Sequence, residues 1–165
     1  MSEAPFNLLT SSNFELAFPV IPSETTLAAT EGLSLNTYGV IIPGITLDQG
    51  EMRWQGAKTQ IPEGTITFEP LSTNFIVDSN LSNWKVLFNW LIYIHNNYDS
   101  FIHQYEDYVV DSSLKMMSNY GDTSISLAFK SMWIQSLSEV TLSQREGEMT
   151  MECAATFVYD RYTVT

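Results

Sequence analysis

The sequence predicts a mainly β domain with one α-helix, and three observations carry that expectation. Apolar residues recur at every second position through much of the chain, as they do in strands with one buried face. One segment breaks that period: Trp84, Leu87, Phe88 and Leu91 stand at helical spacing. The composition supplies a core, since 44% of the 165 residues are hydrophobic and 13% aromatic against 16% charged. A chain of this size buries roughly two thirds of its unfolded surface, so it needs no metal or disulfide staple.

Phe14, Leu16 and Phe18 alternate and define a first strand within 13–22. A loop by composition follows over Ile21 to Thr30, then a weaker strand around Leu33 to Ile42. The turn signals Pro43-Gly44 and Pro62-Glu63-Gly64 bracket residues 45–61. That bracket, with a weak strand over Glu51 to Thr59 and further breaks at Gln49-Gly50 and Gln55-Gly56, reads as a projecting hairpin or loop.

From Gly64 to Asp78 the alternation changes phase. Ile66 and Phe68 share one parity, while Leu71, Phe75 and Val77 share the other. The slip falls at Glu69-Pro70, where proline removes a ladder donor, and it predicts a bulge or a step between sheets. The helix is expected over 79–95, capped by Asp78, Ser79 or Ser82. Trp90 and Tyr93 lie off its main stripe, so it carries apolar surface on more than one side. Asn96 to Asp111 reads as a loop. Strands resume at Ser112 to Ser118 and at Ile125, Leu127 and Phe129. A final long strand over 148–163 places Met149, Met151, Cys153, Ala155, Phe157 and Tyr159 on one face. No repeat, low-complexity tract or linker interrupts the chain, so 1–165 is one domain.

Seven Lys plus Arg against 19 Asp plus Glu give a net charge of −12. Duplex nucleic acids and anionic membranes both select for cations, so that balance argues against either as a binding partner. Cys153 is the only cysteine, which excludes an internal disulfide. Met1 to Leu9 has neither a basic region nor a long apolar run, so no signal peptide is expected. The most apolar stretch, Trp84 to Ile94, is too short to span a bilayer and is broken by Asn89.

The inventory for chemistry is thin. His95 and His103 match no zinc-ligand spacing, and a solvated role suits both. Cys153 falls at an inward strand position, where a free thiol is usually inert. Asp78 to Asn83 begins like a calcium loop but lacks its glycine and its closing glutamate. No phosphate-binding glycine pattern is present. Glu106-Asp107 suits an exposed loop better than an acid–base pair. Neither a catalytic residue, a cofactor nor a metal is therefore expected. The enzyme alternative is a small acidic hydrolase using Cys153 or a carboxylate pair. Most aromatics have core parity, but Trp54, Trp90 and Tyr93 are a surplus that points to a protein partner.

Several phrases then occur in a telling order: Ile41-Ile42-Pro43-Gly44-Ile45, Ile66-Thr67-Phe68-Glu69-Pro70-Leu71, Asn74-Phe75-Ile76-Val77-Asp78, Leu81-Ser82-Asn83-Trp84 and Phe88-Asn89-Trp90, with an aromatic alternation over Ala154 to Tyr162. This order resembles the tail tube proteins of contractile-tailed bacteriophages and their relatives at the tube ends, over Phe14 to Thr163. The resemblance implies an antiparallel β-sandwich or barrel with one flanking helix, a subunit of a homohexameric ring. It implies rings stacked into a tube of the virion tail, assembled in the host cytoplasm. DNA would pass through without specific binding, and the partners would be further copies, with sheath, baseplate and tape-measure proteins.

By the same resemblance, Leu47 to Gln60, with Leu47, Met52, Arg53, Trp54 and Lys58, is the expected ring-to-ring segment. Trp90 and Tyr93 are the expected subunit interface. The acidic stretch around Glu24 and Glu31 has no assigned counterpart. Six such chains would carry six times the charge of one, and acids facing a bore would repel phosphate. The alternative within the family is a single ring at a tube end: a completion, initiator or baseplate hub protein.

Overall fold

Among the described residues, two antiparallel sheets share one long strand, and a further two strands pair only with each other. A computed structural model describes residues 13–19, 21–22, 33–35, 37–98, 105–117, 123–142 and 150–165. The strands are β1 (Phe14–Phe18), β2 (Leu33–Leu35), β3 (Thr37–Ile41), β4 (Ile45–Trp54), β5 (Ala57–Phe68) and β6 (Leu71–Ile76). After α1 (Ser82–Asn97) and a 3-10 turn (Tyr105–Asp107) come β7 (Val110–Met117), β8 (Thr123–Leu137), β9 (Glu152–Val158) and β10 (Arg161–Val164).

The first sheet runs β2-β1-β7-β8-β10 and the second β8-β9-β6-β3. The crossing point is Ser131, a non-glycine residue at φ 53°, where the β7–β8 register also shifts. Asp111 holds that kink: one carboxylate oxygen accepts from the Ser131 amide at 3.2 Å while the other meets the Lys130 ammonium. The hydrogen bond and charge of Lys130 keep the Asp111 carboxyl below its ordinary value. The buried parity changes with the kink. Leu127 and Phe129 point inward before it, Met132 and Ile134 after it.

Both sheets enclose one core, in which Leu16, Phe18, Leu114 and Phe129 of the first face Leu71, Phe75, Ile134 and Phe157 of the second. The Phe18 and Phe157 rings meet at 5.2 Å, and Trp90 of α1 joins them at 6.1 and 6.2 Å. Glu69-Pro70 is the step between sheets that the phase change signals: β5 ends before it, and β6 enters the second sheet after it.

Several elements differ from the sequence expectation: the strand around Leu33 to Ile42 is two, β2 and β3, the strand over Glu51 to Thr59 is folded at Gln55-Gly56, and the loop Asn96 to Asp111 holds the helix end, the 3-10 turn and the start of β7. The first strand stops at Phe18. The Pro62-Glu63-Gly64 turn signal lies inside β5 as a bulge, with Gly64 at φ 84° and the register shifted between Leu47 and Gln49. The helix runs Ser82–Asn97 rather than 79–95. The final strand is interrupted at Tyr159–Asp160 into β9 and β10, although both follow β8 in one register from Val158↔Trp133 to Val164↔Leu127. Glu24, Glu31, His103 and Met149 lie outside the described residues.

The helix start is also built differently. Leu81 occupies the N-cap position in the left-handed region, with no side-chain cap of its own. Asn83, in the first turn and 3% exposed, does the work instead. Its Oδ1 accepts from the Asp78 and Trp84 amides at 3.2 and 2.9 Å, and its Nδ2 donates to the Ile76 carbonyl at 2.8 Å. One side chain thereby ties the end of β6 to the first turn of α1.

Candidate assembly surfaces

The most exposed element is the β4–β5 hairpin. Its ten-residue first strand spans roughly 34 Å at about 3.4 Å per residue. All of its residues except Gly50 and Phe68 are exposed. Gln55 and Gly56 close it, both with positive φ (49° and 84°), as a tight two-residue hairpin turn requires. At its root, two tyrosines hold its two feet. Tyr159 donates to the Glu69 carbonyl at 2.7 Å and Tyr162 to the Pro43 carbonyl at 3.1 Å, while Phe68 packs against both rings. Burial, with Tyr162 and Glu69 nearby, raises the Tyr159 pKa far above the ordinary phenol value.

Cross-strand register sorts the hairpin side chains into two faces. The first face carries Ile45, Leu47, Ile66 and Phe68 at the root, and Glu51, Arg53, Lys58 and Gln60 toward the tip. The second carries Thr46 and Thr67 at the root, and Met52, Trp54, Ala57 and Ile61 toward the tip. The apolar surface therefore changes face along the ribbon. Arg53 and Lys58 are direct cross-strand partners, with Lys58 also 3.1 Å from Glu51. Like charges placed opposite one another repel, so this arrangement is costly to the isolated hairpin.

The expected contact residues thus fall into three groups: Leu47 on the root, Arg53 and Lys58 on the same face further out, and Met52 and Trp54 on the reverse. Trp54 is the most open of the three apolar ones at 65%. Sequence reasoning missed Ile41, Ile42, Ile45 and Ile66, all exposed around the root. Their signal was legible at Ile45 and Ile66, which lie on the projecting ribbon, while Ile41 and Ile42 lead into it from β3.

The interface expected on the helix is corrected at Trp90. Its side chain is fully buried and its indole N–H donates to the Tyr108 carbonyl at 3.0 Å, so it has no surface to offer a neighbour. The fully buried positions are Asn83, Leu87 and Trp90; of the expected stripe, Trp84 and Leu91 also pack against the core while Phe88 faces outward. The exposed aromatic is Phe88, stacked on Trp84 at 5.1 Å. Tyr93 is half-buried, with its ring 6.2 Å from Tyr108.

The remaining chemistry is structural. Cys153 is buried, its thiol within 3.4 Å of the Ser138 carbonyl and 3.5 Å of its hydroxyl. An open groove of about 420 Å³ over the first sheet is lined by Glu15, Ala17, Asp111, Ser113, Ala128 and Lys130. Its charged Asp111 and Lys130 are paired with each other. Among the described residues, no group of three or more His, Cys, Asp or Glu is placed to hold a metal, and no helix is long and apolar enough to cross a membrane.

Two sheets around one core carry an exposed two-stranded ribbon with aliphatic side chains open around its root. A family model described as phage tail tube protein matches residues 9–165, and the chain belongs to that family. It is similar to the tail tube terminator protein of Enterobacteria phage T4, with 29% identity over 170 residues covering 96% of this chain and 90% of the relative. Among solved structures it resembles the tube-terminating cap of the anti-feeding prophage, at TM-score 0.70 and 14% identity over 100% and 95% of the two chains. The sheath/tube terminator of the PVC extracellular contractile injection system matches at TM-score 0.68 and 15% identity over 98% and 99%. The structural likenesses establish the fold. Family membership makes the chain a structural component of a phage tail, not an enzyme, and sets aside the hydrolase alternative.

Proposed function

We propose that this chain forms a single homohexameric ring that ends a phage tail tube, in preference to the repeating ring of the tube itself. One observation carries the choice: the relative matched along almost the whole chain is a tube terminator. The repeating tube protein, which the sequence alone favoured, shares the family and the fold but lacks that support. In this reading the ring seats on the last ring of the tube, beside the end of any sheath. DNA crosses its bore without specific binding.

The architecture supports ring formation in physical terms. Among the described residues, β3 and β10 are each hydrogen-bonded to a single neighbour strand, which leaves each an outer edge that a second copy can extend. The exposed Ile41 and Ile42 adjoin the first of these edges. Net charge −12 per chain suits a conduit for a polyanion.

Negative-stain imaging of the purified chain, alone and mixed with separately assembled tail tubes, tests the reading. The expected result is single six-fold rings that bind one end of the tubes and halt their growth. Long stacks formed by this chain alone would return it to the repeating role.

A further inference from the structure

The hairpin has two dissimilar faces, and only one matches the charge of a second copy. The first combines an aliphatic root (Ile45, Leu47, Ile66) with Glu51, Arg53 and Lys58 further out, a net positive face on a chain whose net charge is −12. Glu51 already pairs with Lys58 at 3.1 Å, so the excess charge of the face is that of Arg53, which stands opposite Lys58. A strongly acidic body is the surface on which such an excess is relieved. The aliphatic root is also continuous with exposed Ile41 and Ile42 at the open edge of β3.

We propose that this first face seats on a neighbouring copy of the chain within the same ring. The root makes the apolar contact, and Arg53 and Lys58 meet the neighbour's acidic surface. The reverse face, with Met52, Trp54 and Ile61, takes no part in ring closure and is left for the body next along the tube axis. Ring closure and axial contact are then separable functions of one ribbon. The inference rests on the ring reading above, since a second copy is the occupant.

The experiment measures the ring-to-monomer midpoint of the full chain by mass photometry and light scattering, across a dilution series. Arg53→Glu and Leu47→Asp are each expected to raise the midpoint concentration by about tenfold or more. Lys85→Glu makes the same charge change on α1, and Trp54→Ala truncates the reverse face. Both should form rings within about threefold of the parent. Trp54→Ala rings should fail to bind tube ends. All four side chains are exposed, and thermal melts of the diluted monomers check that each variant folds.

Rings that survive Arg53→Glu and Leu47→Asp, or that are lost with Trp54→Ala, overturn the assignment of faces while leaving the ring reading intact. A tenfold effect of Lys85→Glu would mean that net repulsion is responsible, and overturns it equally. A parent chain that stays monomeric at high concentration removes the ring reading, and this inference with it.

Discussion

Tyr159 shows how a single hydroxyl connects the core to the projecting hairpin. Its ring is part of the aromatic cluster with Phe68, Phe129 and Tyr162, and its O–H holds the Glu69 carbonyl at the hairpin foot. Tyr159→Phe keeps the ring and leaves that carbonyl without the phenol, which should cost about 1 kcal/mol at neutral pH by thermal or urea unfolding. The pH dependence has a definite sign. Burial raises the folded-state pKa above the phenol value of 10.0, so the contribution is fully present below pH 10 and is lost as pH rises beyond it, where the unfolded chain ionises first. The gap between parent and variant should therefore narrow in alkaline solution. A gap that widens above pH 10 would contradict this account of the buried phenol.

At the scale of elements, the junction between β6 and α1 depends on Asn83 more than on a conventional cap. Its amide satisfies two backbone donors and one acceptor from an almost fully buried position. Asn83→Ala should destabilise the domain by about 1–3 kcal/mol, because buried backbone groups lose their partners. Ser79→Ala and Ser82→Ala, the caps that spacing alone suggests, should each change stability by less than about 0.5 kcal/mol. Urea midpoints for the three variants decide between the two descriptions. Equal losses would mean that the first turn is held by other contacts.

The same scale shows what the residue pattern could convey. Period-two alternation located most strands, because a half-buried strand must place every second side chain inward. The phase slip at Glu69-Pro70 revealed the step between sheets. An equivalent slip at Lys130-Ser131, between Phe129 and Met132, carries the sharing of β8, yet no proline or glycine marks it. Ser131 holds its positive φ through the Asp111 side chain, a contact that sequence neighbours do not disclose. Trp90 was misplaced for a related reason. Helical spacing defines ridges but cannot say which ridge faces inward, and here the Ile76 and Tyr108 carbonyls are the acceptors that allow the inner ridge to include the buried Asn83 amide and the Trp90 indole N–H. The hairpin was visible from its turn signals. Its division into two faces needed the cross-strand register, which the bulge at Gly64 alters.

At the scale of the whole molecule, the body and the hairpin are energetically distinct. The core is complete without residues beyond the hairpin root: Phe68 is the last hairpin side chain packed against it, and the ribbon outward from there is exposed. Replacing residues 46–67 with an Asn-Gly turn between Ile45 and Phe68, which are already cross-strand partners, should leave a folded monomer melting within a few degrees of the parent. That monomer should form no rings in light scattering. Failure to fold would show that the ribbon contributes to the body after all.

The Glu69 amide donates to the Gly44 carbonyl at 3.1 Å, so the two ends of the ribbon are already fastened to each other where they leave the body. The hairpin is in this sense a cassette with its own clasp. A ribbon of different length or sequence can be set on that clasp without redesigning either sheet, because the body takes its stability from side chains inside the root. Drift in partner choice is then open to the family through some twenty exposed positions, under little constraint from the packing of the core.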